Sequence, residues 1–495
     1  MLQKSERDQG CPLQADFVAL TSGGTSLFDL ATWAEGRNRT IHTSGTFLVP
    51  TIAGSFGTSS HGSRIGYGGI QEMVLGMHLI VGRDEHVWIE RASAPVLSVA
   101  GLAKLAIGGK SPRLVRDDDR FEDALVHLGG MGIVNGVAIG LVANDRYSVM
   151  RRVTLLTPAF LKAVAASDFT AIGKLLDCGS SPDFYELTIN PHKLFNDAAM
   201  NTMYFRSNRV PLTPAGPLKM PRLAEVVFEL GDKMLTSAQN APPFIPNGKK
   251  AMAAASPATV PSWVFSLLIN ASSVFAYYLG LKQFDMPNTY FDPDDPQLPI
   301  PYRWSEMHPG AITGGKPGAL YNASFALPVE RLDVALPLIC KAVQKLAPSF
   351  VFTVRFVDKA DGTDGTLAFT RFEKNAVIEI DGLSPLVCIA AKAQVNPDLS
   401  YARKLKAALD VLAGTVPEGA KLVRKALHDN GIPYSMHWAK LGGLDKAKVY
   451  ADYGHPRDCE SLTHRWCGTR DMLLTPFGKR IFWNQALIDY GLVDP

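Results

Sequence analysis

The stretch Ser44–Gly69, SGTFLVPTIAGSFGTSSHGSRIGYGG, constrains this chain more than any other. Glycine or a small hydroxyl residue recurs at almost every other position, the core GSFGTSSHG closes on His61-Gly62, and no charge precedes Arg64. A run this small lets backbone approach a bulky ligand, and glycine permits the positive-φ turns such a loop needs. The N–H groups of Gly57, Thr58, Ser59 and Ser60 are candidates to converge on a diphosphate, with hydroxyls as further donors. A glycine-rich turn without a ligand has the same composition, so composition leaves both readings open.

The string TIAGSFGTSSHGS resembles the T-[IV]-A-G-x-[IFV]-x-T-x-[TS]-H-G segment of the vanillyl-alcohol-oxidase-type flavoproteins, in particular the aldonolactone and alditol oxidases. Two further pieces follow in the same order. FEDALVHLGGMGIVNGVAIGL (121–141) resembles a later stretch of that family's FAD domain, where a Gly-Ile-Val turn lies along the adenosine half of the cofactor. HWAK (437–440) resembles the H-W-[GA]-K motif that brings a lysine to the flavin in the sugar oxidases. The family's FAD domain begins with an R-x-x-G-x-G-H-S loop whose histidine often bonds the flavin, and no segment here matches it. The resemblance therefore implies an α+β fold: a partial PCMH-type FAD-binding domain joined to a substrate domain with an antiparallel sheet flanked by helices. It implies non-covalent FAD, held by Ser44, Gly45, Thr51, Gly54, Gly57, Thr58, Ser59, Ser60, His61 and Gly62, with Gly132, Ile133 and Val134.

Punctuation along the chain divides it at 1–150, 151–440 and 441–495, and the resemblance implies an FAD-binding domain, a substrate or cap domain, and a return to the FAD domain. At 495 residues, two or three domains and a large core are expected. Strands are expected over Met73–Val81 and His86–Glu90, joined by a turn at Gly82–Glu85, and a helix over Asp117–Leu128 with an acidic first turn. A strand over Ile133–Leu141 follows the break at Leu128–Gly132. Order is expected to return at Tyr321–Leu327, with later strands over Val351–Val357 and Ala376–Ile380, and helices over Val329–Leu346 and Leu399–Ala413. Phe477–Leu492, FGKRIFWNQALIDYGL, resembles the family's F-x-N-x-x-L ending.

The composition excludes several classes. Apolar residues make up 46% and charged residues 20%, which describes a globular chain without disordered bias. The net charge of +3 is small and the basic residues are scattered, so no nucleic-acid stripe is visible. The start, MLQKSERDQG, is too polar for a signal peptide, and a cytoplasmic location is expected. Pro261–Gly280 is uncharged over a bilayer's span, but Asn270 and four serines favour a buried pocket wall over an integral span. The six cysteines form no CxxC pair, as expected of reduced thiols. His455, Cys459, His464 and Cys467 fall within HPRDCESLTHRWC, but their spacing matches no zinc module, and no metal is expected.

Oxidising an alcohol beside a flavin needs a cation near the flavin's pyrimidine ring, fixed in a dry pocket. Lys440 is the first candidate, beside the Trp438 wall. Arg355 is the second: where the sugar oxidases read E-x-R on a strand, this chain reads Thr353-Val354-Arg355. The substitution leaves that substrate-orienting pair without its carboxylate, because a hydroxyl cannot act as one. Thr353 and His437 are expected to meet the substrate, a small-molecule alcohol; His437 reads equally as a core histidine. His61 reads as a loop-holding residue or flavin neighbour. Two other readings stay open: a flavin-free descendant of the fold, and one subunit of a multi-chain redox complex.

Overall fold

The computed structural model describes residues 1–45, 48–176, 178, 180–208, 291–292, 295–307, 320–346, 350–359, 365–383 and 417–494. Pro261–Gly280 and the helix expected over Leu399–Ala413 lie outside them.

A five-stranded sheet gathers Val18–Ser22, Ile133–Gly140, Val74–Ile80, His86–Glu90 and Arg113–Arg116, in that order. The pairs are antiparallel except the last, which is parallel. Alternation along the strands sends Met77, Leu79, Val87, Ile89, Val137 and Ile139 into one core. The helices Leu27–Glu35 and Asp118–Leu125 pack there, each started by a side-chain cap, Ser26 and Asp117. The opposite face carries Trp88 and Ala138 and is covered by Leu2, Cys11, Val96 and Leu97. Buried Glu90 is fully engaged there: it accepts from Trp88 Nε1 at 2.6 Å, Val96 N at 2.9 Å, Leu97 N at 3.1 Å and Arg116 Nε at 2.7 Å. The helix Leu462–Leu473 docks on this layer through Trp466 Nε1 to the Val126 carbonyl (2.9 Å) and Arg470 Nε to the Gly130 carbonyl (3.0 Å).

A second sheet has eight strands, in the order Pro301–Tyr302, Arg146–Leu155, Ala198–Ser207, Phe184–Ile189, Phe350–Asp358, Lys374–Leu383, Leu320–Pro328 and Ser435–Met436. All its pairs are antiparallel. One face is apolar: Leu187, Ile189, Phe352, Val354, Ile378, Ile380 and Phe325 pack on Pro158–Ala165, Leu332–Val343 and the helix at 417–429. The other face is polar at its centre and apolar where Tyr147, Val149, Phe184 and Tyr204 join the first core, and the glycine-rich segment lies against it. Ser63 Oγ donates to the Tyr185 carbonyl and accepts from Phe356 N at 2.8 Å, and Ile65 N reaches the Asp183 carbonyl at 2.9 Å. No helix among the described residues is long and apolar enough to cross a membrane.

Candidate active site

Register assembles the polar face. Thr353 is paired with Glu379 on one side and Thr188 on the other, while Arg355 is paired with Glu186 and Val377. On the next strand Ser324 pairs with Glu379 and Asn322 with Asp381. Arg355 Nε lies 2.9 Å from Glu186 Oε2 and 3.1 Å from Glu379 Oε2. The carboxylate that Thr353 lacks within its own strand is therefore supplied across the sheet, and the expectation that Arg355 has no carboxylate partner is corrected. The strand is interior, and the Arg355 side chain is only 12% exposed.

Glu379 is the hub. Ser324 Oγ donates to its Oε1 at 3.2 Å, while His61 Nε2 and Lys440 Nζ each stand 3.9 Å from that oxygen. Burial pushes the Glu379 carboxyl up, but Arg355 and then Lys440 outweigh it and hold it below the usual carboxylate range. Burial also opposes charge on Arg355, yet Glu379 and Glu186 push its pKa up. Asp381, which accepts from Asn322 Nδ2 at 2.5 Å, is pushed up by burial and by the Glu379 charge.

Lys440 reaches this point because the edge strand Ser435–Met436 runs straight into the HWAK turn. His437 N donates to the Ser324 carbonyl (3.2 Å), and Trp438 Nε1 donates to the Leu367 carbonyl (2.7 Å) and stacks on Tyr453. His437 Nδ1 accepts from Ala439 N at 3.0 Å, so in the neutral ring Nε2 carries the proton. Burial lowers the His437 pKa well below its usual value, and its ring centroid is 4.7 Å from Phe369 and 6.2 Å from His61. The structure thus brings Lys440, Arg355, Thr353, His437 and His61 to one sheet face.

The glycine segment folds differently from the expected diphosphate loop. Thr51 caps the short helix Ile52–Gly57, its hydroxyl accepting from Gly54 N at 3.3 Å. Ser59 N and Ser60 N donate to the Phe56 and Ser55 carbonyls at 3.0 and 2.9 Å. Those two N–H groups close the helix C-terminus, which corrects the expectation that they converge on an anion. Ser59 holds φ at +59°. Gly57 packs on His127: a Cβ there would stand 2.3 Å from the ring nitrogen Nε2. Gly57→Ala is therefore expected to cost about 1–3 kcal/mol by overpacking, read as a lowered melting temperature. Gly62 faces Thr43 and Ser44, and Gly45 lies against the His61 carbonyl. Ser44 Oγ accepts from Trp304 Nε1 at 2.8 Å, and Thr58 Oγ1 donates to the Gly54 carbonyl at 2.9 Å. Gly132 takes φ +104° against the Ile80 carbonyl and leads into half-exposed Ile133 and partly buried Val134.

Sequence reasoning missed Glu379, Asp381, Glu186 and Ser324. One signal was present: in Ala376–Asp381, AVIEID, two acids at strand spacing alternate with Ile378 and Ile380, which places both on the face opposite a core. The His/Cys cluster does not assemble. His464 Nδ1 donates to the Pro456 carbonyl, His455 Nδ1 accepts from Arg457 N, and Cys467 Sγ donates to the Leu492 carbonyl. Among the described residues no three His, Cys, Asp or Glu side chains come together as a metal site.

No family model matches the chain, and no curated protein matches it in sequence. Solved structures match it in fold. A single-site mutant of cholesterol oxidase from Brevibacterium sterolicum covers 98% of this chain and 82% of its own, at a TM-score of 0.57 and 11% identity. A second structure of cholesterol oxidase from B. sterolicum gives the same coverage and TM-score at 13% identity. A solvent-stable cholesterol oxidase covers 98% and 83%, at a TM-score of 0.55 and 12% identity. At these identities the likeness is one of fold: the mixed helices and antiparallel sheets of this chain are arranged as in these oxidases.

Proposed function

We propose that the chain is an FAD-dependent oxidoreductase that oxidises a CH–OH group of a small molecule. The observation that carries this reading is the meeting of Lys440, His61 and Glu379 where the polar sheet face closes on the glycine-rich segment. The likeness in fold to cholesterol oxidases supports it.

The residues present fit a flavin. Between residues 40 and 71, Thr40 Oγ1, Thr43 Oγ1, Ser59 Oγ and both amide atoms of Gln71 are buried without a hydrogen-bond partner among the described residues. Native interiors rarely leave so many polar atoms unmatched in one segment, and flavin carbonyls and ribityl hydroxyls are the kind of partner they lack. Ser44–Gly62 and Gly132–Val134 would hold the cofactor, without a covalent bond. When bound, FAD supplies a hydride acceptor for the carbinol carbon. The chain's own residues bind and orient the alcohol: Lys440 offers the cation, Arg355 and Glu379 brace one another beside it, and Thr353 and His437 complete the wall. The hydroxyl, amide and carboxylate side chains of Asn322, Ser324, Thr353 and Glu379 favour a hydroxyl-rich substrate over a sterol.

The test is the visible spectrum of the purified chain before and after acid precipitation, followed by anaerobic addition of xylitol or cholesterol. Flavin bands that move to the supernatant, and that bleach with xylitol, are expected. A colourless chain that stays colourless after incubation with FAD overturns the reading; bleaching by cholesterol alone overturns the hydroxyl-rich substrate. Lys440→Met is expected to slow bleaching roughly 10²–10³-fold, the usual effect of losing one preorganised charge-stabilising group.

A further inference from the structure

His61 sits between two groups that fix the role of each ring nitrogen. Nδ1 lies 2.9 Å from the Gly62 carbonyl, which can only accept, so Nδ1 carries the proton of the neutral ring. Nε2 is then an acceptor, and it faces Glu379 Oε1, another acceptor, at 3.9 Å. The Lys440 ammonium stands 3.9 Å from the same oxygen. Both gaps are too long for hydrogen bonds. The Phe369 ring, with its centroid 5.3 Å away, flanks the imidazole.

A carboxylate oxygen, an acceptor nitrogen and a cationic donor are together the complement of a hydroxyl group. A hydroxyl gives one proton and accepts from a donor, whereas a carbonyl cannot donate and an ammonium cannot accept. We propose that the reacting hydroxyl of the substrate sits among His61 Nε2, Glu379 Oε1 and Lys440 Nζ, and that His61 Nε2 takes its proton. This rests on the function proposed above. The O–H bond breaks, the proton forms the Nε2–H bond, and the O–H electron pair becomes the second bond of the new C=O. The C–H pair leaves as hydride to the flavin that the proposed function requires.

Glu379 is the poorer acceptor because Arg355 and Lys440 hold it ionised, and its part is positional: Arg355 braces its Oε2 while Oε1 faces Lys440 and the hydroxyl. Burial lowers the His61 pKa to about 4; Glu379 opposes that shift, while Arg355 and Lys440 add to it, and His437 faces the ring from the HWAK turn. A weak base suffices here. As hydride departs, the alcohol proton comes to sit on a forming carbonyl, a far stronger acid than the alcohol itself.

The first experiment is ¹⁵N NMR of the flavin-bound wild-type chain, labelled at histidine, at pH 7. His61 is expected neutral, with the proton on Nδ1 and Nε2 bare; an Nε2–H tautomer or an imidazolium overturns the proposal. The second is His61→Gln, assayed by anaerobic bleaching with whichever of xylitol and cholesterol reduces the wild type. The flavin-loaded variant is expected to bleach about 10²–10⁴-fold more slowly, and to lack the acid limb expected of the wild-type rate toward pH 4. A rate within threefold of wild type overturns the proposal. A wild-type chain that binds no flavin overturns the proposed function and this inference with it; a flavin-bound chain with the wrong tautomer overturns this inference alone.

Discussion

Replacing Arg355 by methionine is expected to cost the fold about 3–5 kcal/mol, the usual penalty for removing one partner of a buried ion cluster. Methionine fills most of the space but leaves Glu379 and Glu186 without the guanidinium that lies 3.1 and 2.9 Å from them. Glu379 is 3% exposed, so water cannot replace the lost partner. The variant should also change the sign of the cluster's pH dependence. In the wild type the Glu379 carboxyl is depressed, so its stabilisation is present above the unfolded carboxylate pKa and is lost as pH falls through the folded one. Without Arg355, burial dominates and the folded-state pKa rises. Stability is then greatest below the unfolded pKa and falls as pH rises through the folded pKa. Denaturant midpoints at pH 5 and pH 8 check this: the deficit of Arg355→Met should be larger at pH 8. Adding Glu379→Gln should recover part of it, because the double variant no longer buries the stranded charge. Equal midpoints for wild type and Arg355→Met would mean that the cluster is solvated and braces nothing.

This cluster marks how far the sequence could be read. The strand Phe350–Asp358 follows from its own alternation, which already places Thr353 and Arg355 on one face. Their partners do not follow, because Glu186 and Glu379 arrive from strands 169 and 24 positions away or thereabouts, through a register that no local pattern specifies. Within its own strand Arg355 has only Thr353 as a same-face neighbour two residues before it, which reads as a missing carboxylate. Asking which acids lie on strands that must be half buried would have reached Glu379 and Asp381. The N-terminal unit was more legible, since Val74–Ile80, His86–Glu90, Asp118–Leu125 and Ile133–Gly140 carry their periodicity, caps and turn residues locally. The glycine segment shows the opposite limit. Its composition reads as a loop of free N–H groups, yet Thr51 is an effective cap, and a capped turn of helix engages Ser59 N and Ser60 N. Glycine content describes what backbone is permitted to do; the cap decided what it did.

The second large effect is acid lability. Burial lowers His42, His61, His78 and His127 to about 4 each, and His437 well below its usual value. Neutral partners reinforce this at His78, where one hydrogen-bond chain runs from Asn135 Nδ2 to His78 Nδ1 (3.1 Å), from His78 Nε2 to His86 Nδ1 (2.7 Å), and from His86 Nε2 to the Lys110 carbonyl (3.1 Å). Each ring gives one proton and accepts one, so a second proton on His78 removes an acceptor and breaks the chain. The sign follows from linkage: a depressed histidine is stabilising above its unfolded pKa near 6.5, and the contribution is lost as pH falls toward the folded value near 4. Each ring's shift is worth roughly 3 kcal/mol at most, and a third of that over four rings is about 4 kcal/mol, comparable with the whole stability of many domains. Glu35, Glu122, Asp358, Asp381 and Asp452 act oppositely, since burial raises them and acid then favours the fold. The histidines dominate by number: four are lowered to about 4, whereas Asp381 alone of these acids is raised to about 6. Denaturant midpoints at pH 7, 6, 5 and 4.5 should therefore fall steeply, and His78→Gln should flatten the slope by removing one titrating ring. A midpoint that holds constant from pH 7 to 4.5 would mean that these rings accept protons in the folded chain, and that the interior around His61 is wetter than its packing implies.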